Sequence, residues 1–343
     1  MRAAVTERIG SMTVVERPEP DDPAPGVVVV APEAVGICGS DYSFFTGHMT
    51  AAAGGSQFPR VQGHEVGGRI AALGDGCGAR LRIGQRVALM PLHACGRCYP
   101  CSVGRSNTCD DFQLIGIHVD GGLQGLMSLP HEQVHPIEVD DGALAAMAEP
   151  VSVAVRAVRR ARIEPGEHVV VLGAGPIGQC VAIVARELGA QVMLVDLQSS
   201  RLELGREIGC EGVAWESADA AVEAAREWAG PPGPPVAIDA TGVPAAVRAM
   251  VDMVSSAGRA VQVGMSPDEV ALRLGSLTEK EIDLLGVSCA NNDDFAEAVA
   301  VVERNHQQIA RLISHEFELG RAPEAIRFAI DNPTEVMKVM IRD

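Results

Sequence analysis

Apolar and polar positions change rhythm once along this chain. Through the first third, short apolar runs alternate with turn residues. Residues 27–30 read as a buried strand entered from the proline-rich turn 18–26. Residues 67–72 and 86–90 read as further strands, with Gly74, Asp75 and Gly76 turning the chain between them. Helical periodicity is weak here, which predicts a compact, largely β domain. Near Glu149 the pattern switches to apolar strands alternating with helical runs. Strands are expected at 168–172, 191–195, 236–239, 260–263 and 282–287, and helices at 176–188, 201–208 and 244–253. That alternation implies a parallel sheet covered on both faces. Residues 230–235 form a rigid loop inside this region. The last fifty residues, with a helical run at 294–304, do not make a domain alone and are expected to return to the first one.

Length and composition narrow the class. The 343 residues allow two domains, and 37 glycines with only 3% aromatics suit an α/β protein with close backbone contacts. A net charge of −17 argues against a nucleic-acid partner and against docking on an anionic membrane. No stretch is long and apolar enough for a membrane helix, and the opening residues carry Glu7 and Arg8 where a secretory signal would be apolar. These features predict a cytoplasmic enzyme. Only two lysines occur, Lys280 and Lys338, so arginine supplies nearly all positive charge.

Four of the nine cysteines fall in one stretch, Cys95, Cys98, Cys101 and Cys109. The spacing lets four thiolates converge on one tetrahedral zinc, and Gly96, Pro100 and Gly104 permit the turns. A bacterial-type iron–sulfur run wants about three residues before its last cysteine and a proline after it. Here the last gap is longer and Asp110 follows. A disulfide framework would require an oxidising compartment. Structural zinc fits best.

The segment Gly173-Ala174-Gly175-Pro176-Ile177-Gly178 follows a predicted strand and opens a predicted helix. Gly173 makes the turn, Gly175 admits a pyrophosphate, and Gly178 allows helix and strand to pack closely. The phosphates would sit on the helix N-terminus, beside Pro176 and Ile177. Asp196 ends the next strand where a carboxylate binds a ribose 2′-hydroxyl, which favours NAD over NADP. Nearby Arg201 softens that preference. Thr241 and the run Val263-Gly264-Met265 end later strands, on the edge that faces a ligand.

Three small motifs remain: Cys38-Gly39-Ser40-Asp41, Gly63-His64-Glu65, and Glu149-Pro150. Singly, each suits ordinary packing. Beside a nucleotide site they make a mixed sulfur, nitrogen and oxygen set suited to catalytic zinc with an open position. With these motifs in this order, the chain resembles the zinc-dependent medium-chain dehydrogenase/reductase family, particularly its sorbitol and polyol branch. The resemblance implies a GroES-like β-rich catalytic domain at 1–150, completed by 288–343, and a doubly wound Rossmann domain at 151–287, with the active site in the cleft between them. It implies zinc held by Cys38, His64 and Glu65. Glu149 would ligate the metal or hold its water, the two carboxylates exchanging during turnover.

Zinc lowers the pKa of bound water from about 15.7 to about 7, and a bound alcohol would be acidified similarly. Ser40 would then relay the proton, and hydride would pass to the nicotinamide. The expected reaction is oxidation of a secondary alcohol in a polyol, cyclitol or sugar acid. A threonine or amino-alcohol dehydrogenase and a non-catalytic NAD-binding oligomer are the alternatives. Two positions depart from the family. Ser43 stands where many relatives carry a relay histidine, with His48 as a speculative substitute. Cys289-Ala290 replaces an Arg-Tyr pair of polyol dehydrogenases, leaving Asn291 and Asn292 as candidate hydroxyl-binding amides or simply as turn residues. Phe44 is expected to line the substrate pocket, with core packing as the alternative. The apolar strand at 282–287 suits a sheet edge that pairs with another subunit, and the resemblance implies a dimer or, preferably, a tetramer.

Overall fold

The computed structural model describes residues 1–49, 57–266 and 268–343. The chain divides into two compact units, Met1–Ser152 with Ala290–Asp343, and Val153–Cys289.

The first unit is built on a seven-stranded sheet. Its order runs Val134–Pro136, Arg86–Leu89, Glu65–Leu73, Val27–Ile37, Lys338–Arg342 and Ile313–Glu318, with Met127–Pro130 also paired to Val27–Ile37. The strand at 27 continues past Pro32 to Ile37, beyond the expected stop. A register shift between Pro32 and Ala34 absorbs the missing proline N–H. Period-two alternation then sorts the side chains. Val28, Val30, Val35 and Ile37 join Val66, Ile70, Val87 and Leu89 in one buried core, to which the last strand adds Val339 and Ile341. Lys338 begins the same strand, paired with Ile313, one residue before the Val339–Ile37 pair. Thus the C-terminal segment supplies two strands of the sheet that presents Cys38 and Glu65.

The second unit holds a six-stranded, wholly parallel sheet. The order is Glu211–Ala214, Gln191–Asp196, His168–Leu172, Val236–Asp239, Arg259–Gln262 and Asp283–Gly286. Val169, Val170 and Val171 are fully buried, as strands covered on both faces require. Strand order reverses between His168–Leu172 and Val236–Asp239, which places the ligand crevice at their C-terminal ends. The strand Asp283–Gly286 forms one edge of the sheet, with Leu284 exposed. Strand Glu211–Ala214 and helices Ala218–Ala229 and Leu274–Lys280 add to the elements expected from patterning. No helix among the described residues is long and apolar enough to cross a membrane.

Candidate active site and metal centres

Cys38 leaves the strand Val27–Ile37 and caps the short helix Gly39–Thr46. The cap depends on Asp41, three residues on, whose Oδ2 accepts the Cys38 backbone N–H at 3.0 Å. Asp41 is wholly buried. Its Oδ1 also accepts the Gly63 N–H and Gln62 Nε2, both at 3.3 Å, and Gln62 is fixed in turn by Thr6 Oγ1 at 2.6 Å. One carboxylate therefore ties the Cys38 turn to the Gly63–His64 turn. Its Oδ2 stands 3.7 Å from His64 Nδ1, and His64 Nε2 is 3.3 Å from Ser40 Oγ.

Glu65 opens the next strand opposite Gly36. A Cβ on Gly36 would fall 2.0 Å from Glu65 Oε2, so only glycine leaves room for this carboxylate. Among the described residues, the donor atoms of Cys38, His64 and Glu65 all lie within 4.8 Å of one another. Both Glu65 oxygens are also engaged by Lys338 Nζ, at 2.6 and 2.8 Å. Burial works against the Lys338 charge, but Glu65 and Cys38 outweigh it and hold the ammonium above its ordinary pKa. Glu149 lies in the first turn of the helix Ala148–Ala161, outside that three-residue cluster but electrostatically coupled to it. The residue is partly exposed, yet its carboxyl is enclosed by protein, which pushes it up to about 7.

The donor set fits a divalent metal. It offers a thiol, an imidazole and carboxylates at close range. Among the described residues, His64 Nδ1 is buried without a hydrogen-bond partner. Burial opposes a charge on the His64 ring, but Asp41 and then Cys38 raise it well above an ordinary histidine, so the pocket favours a cation at this place.

The clustered cysteines Cys95, Cys98, Cys101 and Cys109 form a second centre. Their sulfurs lie within 4.8 Å of one another, with Cys98 Sγ 3.4 Å from Cys101 Sγ and 3.7 Å from Cys109 Sγ. Zinc–sulfur bonds of about 2.3 Å in a tetrahedron would set sulfurs about 3.8 Å apart. Backbone N–H groups of Cys95 and Asp111 point at Cys109 Sγ, at 3.2 and 3.3 Å. The Arg97 and Cys98 N–H groups bring the Cys95 thiol down to about 6, while desolvation pushes Cys101 up to about 12.

In the second unit, Gly175 caps the helix Pro176–Glu187, with Pro176 in its first turn. A Cβ on Gly178 would lie 1.8 Å from the Gly173 carbonyl oxygen, so helix and turn make backbone contact. This leaves a bare cradle of N–H groups suited to a pyrophosphate. Ile177 follows on the first helical turn. Asp196 Oδ2 accepts the Ala174 N–H at 2.7 Å and Oδ1 accepts the Gln198 N–H at 2.8 Å. Arg201 Nη1 sits 4.0 Å from Asp196 and 3.9 Å from the position a Gly175 Cβ would take. Thr241, Val263, Gly264 and Met265 lie beyond the ends of the strands Val236–Asp239 and Arg259–Gln262.

Several expectations are corrected. Phe44 is fully buried and packs edge-on against Phe58 with ring centroids 5.1 Å apart, so it is core and not a pocket wall. Ser43 Oγ donates to the Gly39 carbonyl of its own helix, and His48 is exposed with Nδ1 3.0 Å from Thr46 Oγ1. Asn291 caps the helix Asn292–Ala310, and Asn292 Oδ1 is 3.0 Å from His135 Nε2, so both amides serve the fold. Sequence reasoning also missed Asp41, Gln62 and Lys338. Asp41 was signalled by an acid three residues beyond Cys38, and Lys338 by its rarity in an arginine-rich chain.

Comparison with known proteins agrees with this geometry. The model for the alcohol dehydrogenase GroES-like domain matches residues 24–139, and that for zinc-binding dehydrogenases matches residues 176–304. The L-galactonate-5-dehydrogenase of Escherichia coli is 33% identical over 93% of each chain. An uncharacterized zinc-type alcohol dehydrogenase-like protein of Haemophilus influenzae is 30% identical over 99% of this chain and 98% of its own. Among solved structures, a short chain alcohol dehydrogenase (RspB) of Escherichia coli complexed with NADH gives a TM-score of 0.90 at 29% identity, covering 100% of this chain and 99% of that one. A putative zinc-binding dehydrogenase of Sinorhizobium meliloti bound to NADP gives 0.89 at 29% identity, with coverage of 100% and 99%. The chain belongs to the zinc-dependent medium-chain dehydrogenase/reductase family and is a zinc-type alcohol oxidoreductase with a nicotinamide cofactor.

Proposed function

We propose that this protein oxidises a secondary alcohol of a polyol, cyclitol or sugar acid and passes the hydride to NAD. The observation that carries the reading is the gathering of Cys38, His64 and Glu65 donor atoms within 4.8 Å, in a chain that also carries a dinucleotide cradle. The sugar-acid member of the substrate class draws on the relative that acts on L-galactonate.

Cys38 and His64 would hold the catalytic zinc, with Glu65 or Glu149 as the oxygen ligand, and the four-cysteine lobe would hold the structural zinc. When bound, the metal supplies a Lewis acid that makes the substrate hydroxyl easier to deprotonate. Asp41 stands 3.7 Å behind His64 Nδ1 and acts on the ring through its charge. Ser40 Oγ, next to His64 Nε2, takes the substrate proton. Lys338 neutralises Glu65, so the pocket does not carry an unpaired acid when Glu149 serves instead. Glu149, poised near neutrality, accepts or returns a proton at its carboxylate. In the second unit, Gly173, Gly175, Pro176, Ile177 and Gly178 would bind the pyrophosphate. Asp196 would take the adenosine ribose, and its charge repels a 2′-phosphate. Arg201 sits close enough to moderate that repulsion. Thr241 and Val263-Gly264-Met265 would complete the cofactor site.

We place the protein in the cytoplasm, where reduced thiols suit both centres. We place its subunit contact at the edge strand Asp283–Gly286, in a dimer or tetramer. A panel of polyols and sugar acids, followed by NADH absorbance, tests the activity. A Cys38→Ala variant that retained full alcohol-dependent NADH production would refute the assignment of Cys38.

A further inference from the structure

At the reversal point of the second unit's sheet, one buried acid gathers two loops. Asp239 ends the strand Val236–Asp239 and is 0% exposed. Every group around its carboxylate is a neutral donor. Thr241 Oγ1 donates to Oδ1 at 2.6 Å, and the Thr241 N–H reaches the same oxygen at 3.3 Å. The Gly242 N–H donates to Oδ2 at 2.8 Å, and Gln262 Nε2 does so at 2.7 Å. Gln262 Nε2 also reaches the Gly264 carbonyl at 2.6 Å, so its two acceptor contacts settle the orientation of the amide. The Asp239 backbone oxygen accepts the Val263 and Gly264 N–H groups, each at 2.9 Å. Three oxygens of one residue therefore fix both the Thr241–Gly242 turn and the Val263–Gly264 turn.

The fit of these turns leaves no slack. A Cβ on Gly264 would lie 2.2 Å from the Gly242 nitrogen, and one on Gly173 would lie 2.6 Å from Thr241 Cγ2. The Asp239 network thus abuts the glycine turn of the proposed pyrophosphate site. Doubly wound sheets bind a dinucleotide as two mononucleotides, one on each side of the strand reversal. Asp196 lies on the side of Gln191–Asp196. The loops held by Asp239 lie on the other side.

We infer that Asp239 is a positioning residue for the nicotinamide half of the cofactor, acting through Thr241 and the Val263–Gly264 turn and not by touching the cofactor itself. The inference rests on the nucleotide reading proposed above. It makes a specific demand, because an asparagine at 239 is nearly isosteric but turns an NH2 toward donors already fixed there. The turns must then shift, while the adenosine side keeps Asp196 and its two backbone contacts.

The test measures binding to the full-length protein by titration with NADH and, separately, with AMP, which carries only the adenosine half. Asp239→Asn is expected to weaken NADH about tenfold or more and to change AMP less than about threefold. Thr241→Val, which removes the 2.6 Å hydroxyl contact to Asp239 and the hydroxyl's 2.9 Å acceptance of the Val243 N–H, is expected to shift in the same direction by less. It also supplies the answer if Asp239→Asn does not fold. Equal loss of NADH and AMP in the variants would show a merely structural role and overturn the inference. Unchanged NADH binding in both variants would overturn it too. Wild-type protein that bound AMP and NADH equally weakly would instead refute the nucleotide reading, and the inference with it.

Discussion

Replacing Lys338 with methionine isolates the least expected part of the candidate active site. The side chains of Lys338 and Glu65 are 4% and 1% exposed, and the ammonium contacts both carboxylate oxygens. Methionine keeps most of the volume but leaves Glu65 buried without its partner. Breaking a buried pair from one side costs about 3–5 kcal/mol. At about 2–4 °C per kcal/mol for a unit of this size, the melting transition of the first unit should fall by roughly 6–20 °C. Calorimetry of the metal-free protein measures the shift, because a bound zinc would itself partner Glu65. A Glu65→Gln, Lys338→Met double variant removes both charges, and should recover much of the loss because no unpaired ion remains. A Lys338→Met protein melting within about 1 °C of wild type would refute the reasoning, as would a double variant whose losses simply add.

Three further outcomes follow from the same geometry. Metal analysis of purified protein should find two zinc ions per chain, and Cys98→Ser should lower this to one and destabilise the first unit, read by metal content and melting together. Arg342 holds the Asp141 carboxyl below the usual aspartate range, so the native state binds that proton less readily than the unfolded chain. This stabilisation is complete above about pH 4 and is lost as pH falls through the folded value, so Asp141→Asn should flatten the acid limb of a stability-against-pH curve. Asp196→Ser should raise KM for NAD and lower it for NADP, since the carboxylate that repels a 2′-phosphate is then gone and Arg201 lies nearby. An unchanged preference in steady-state kinetics would reject the role of Asp196.

The inner strands of the parallel sheet were legible because they are buried on both faces, so runs such as Val169–Val171 announce themselves without regard to their neighbours. The helix Ala148–Ala161 was less so. Val151, Ala154, Val155 and Val158 carry a helical stripe, but Pro150 interrupts the pattern, although a proline in the first turn removes no helical hydrogen bond. The helix Gly39–Thr46 is only eight residues long, and its start is visible only through the Cys38 and Asp41 cap. Phe44 misled for a related reason, since its neighbour Phe58 is too far along the chain for a local pattern to place.

What the sequence determined by itself is local chemistry: four cysteines spaced to converge, a glycine turn between strand and helix, and an acid one strand later. Each needs only a few consecutive residues to take a fixed backbone shape. The tertiary structure alone decided which groups confront one another over long chain separations. It set Lys338 against Glu65, Asp41 behind His64, and Gln262 beneath Asp239. Such pairings follow from strand register and from room left by residues such as Gly36, and a one-residue slip would turn the partners to opposite faces of the sheet.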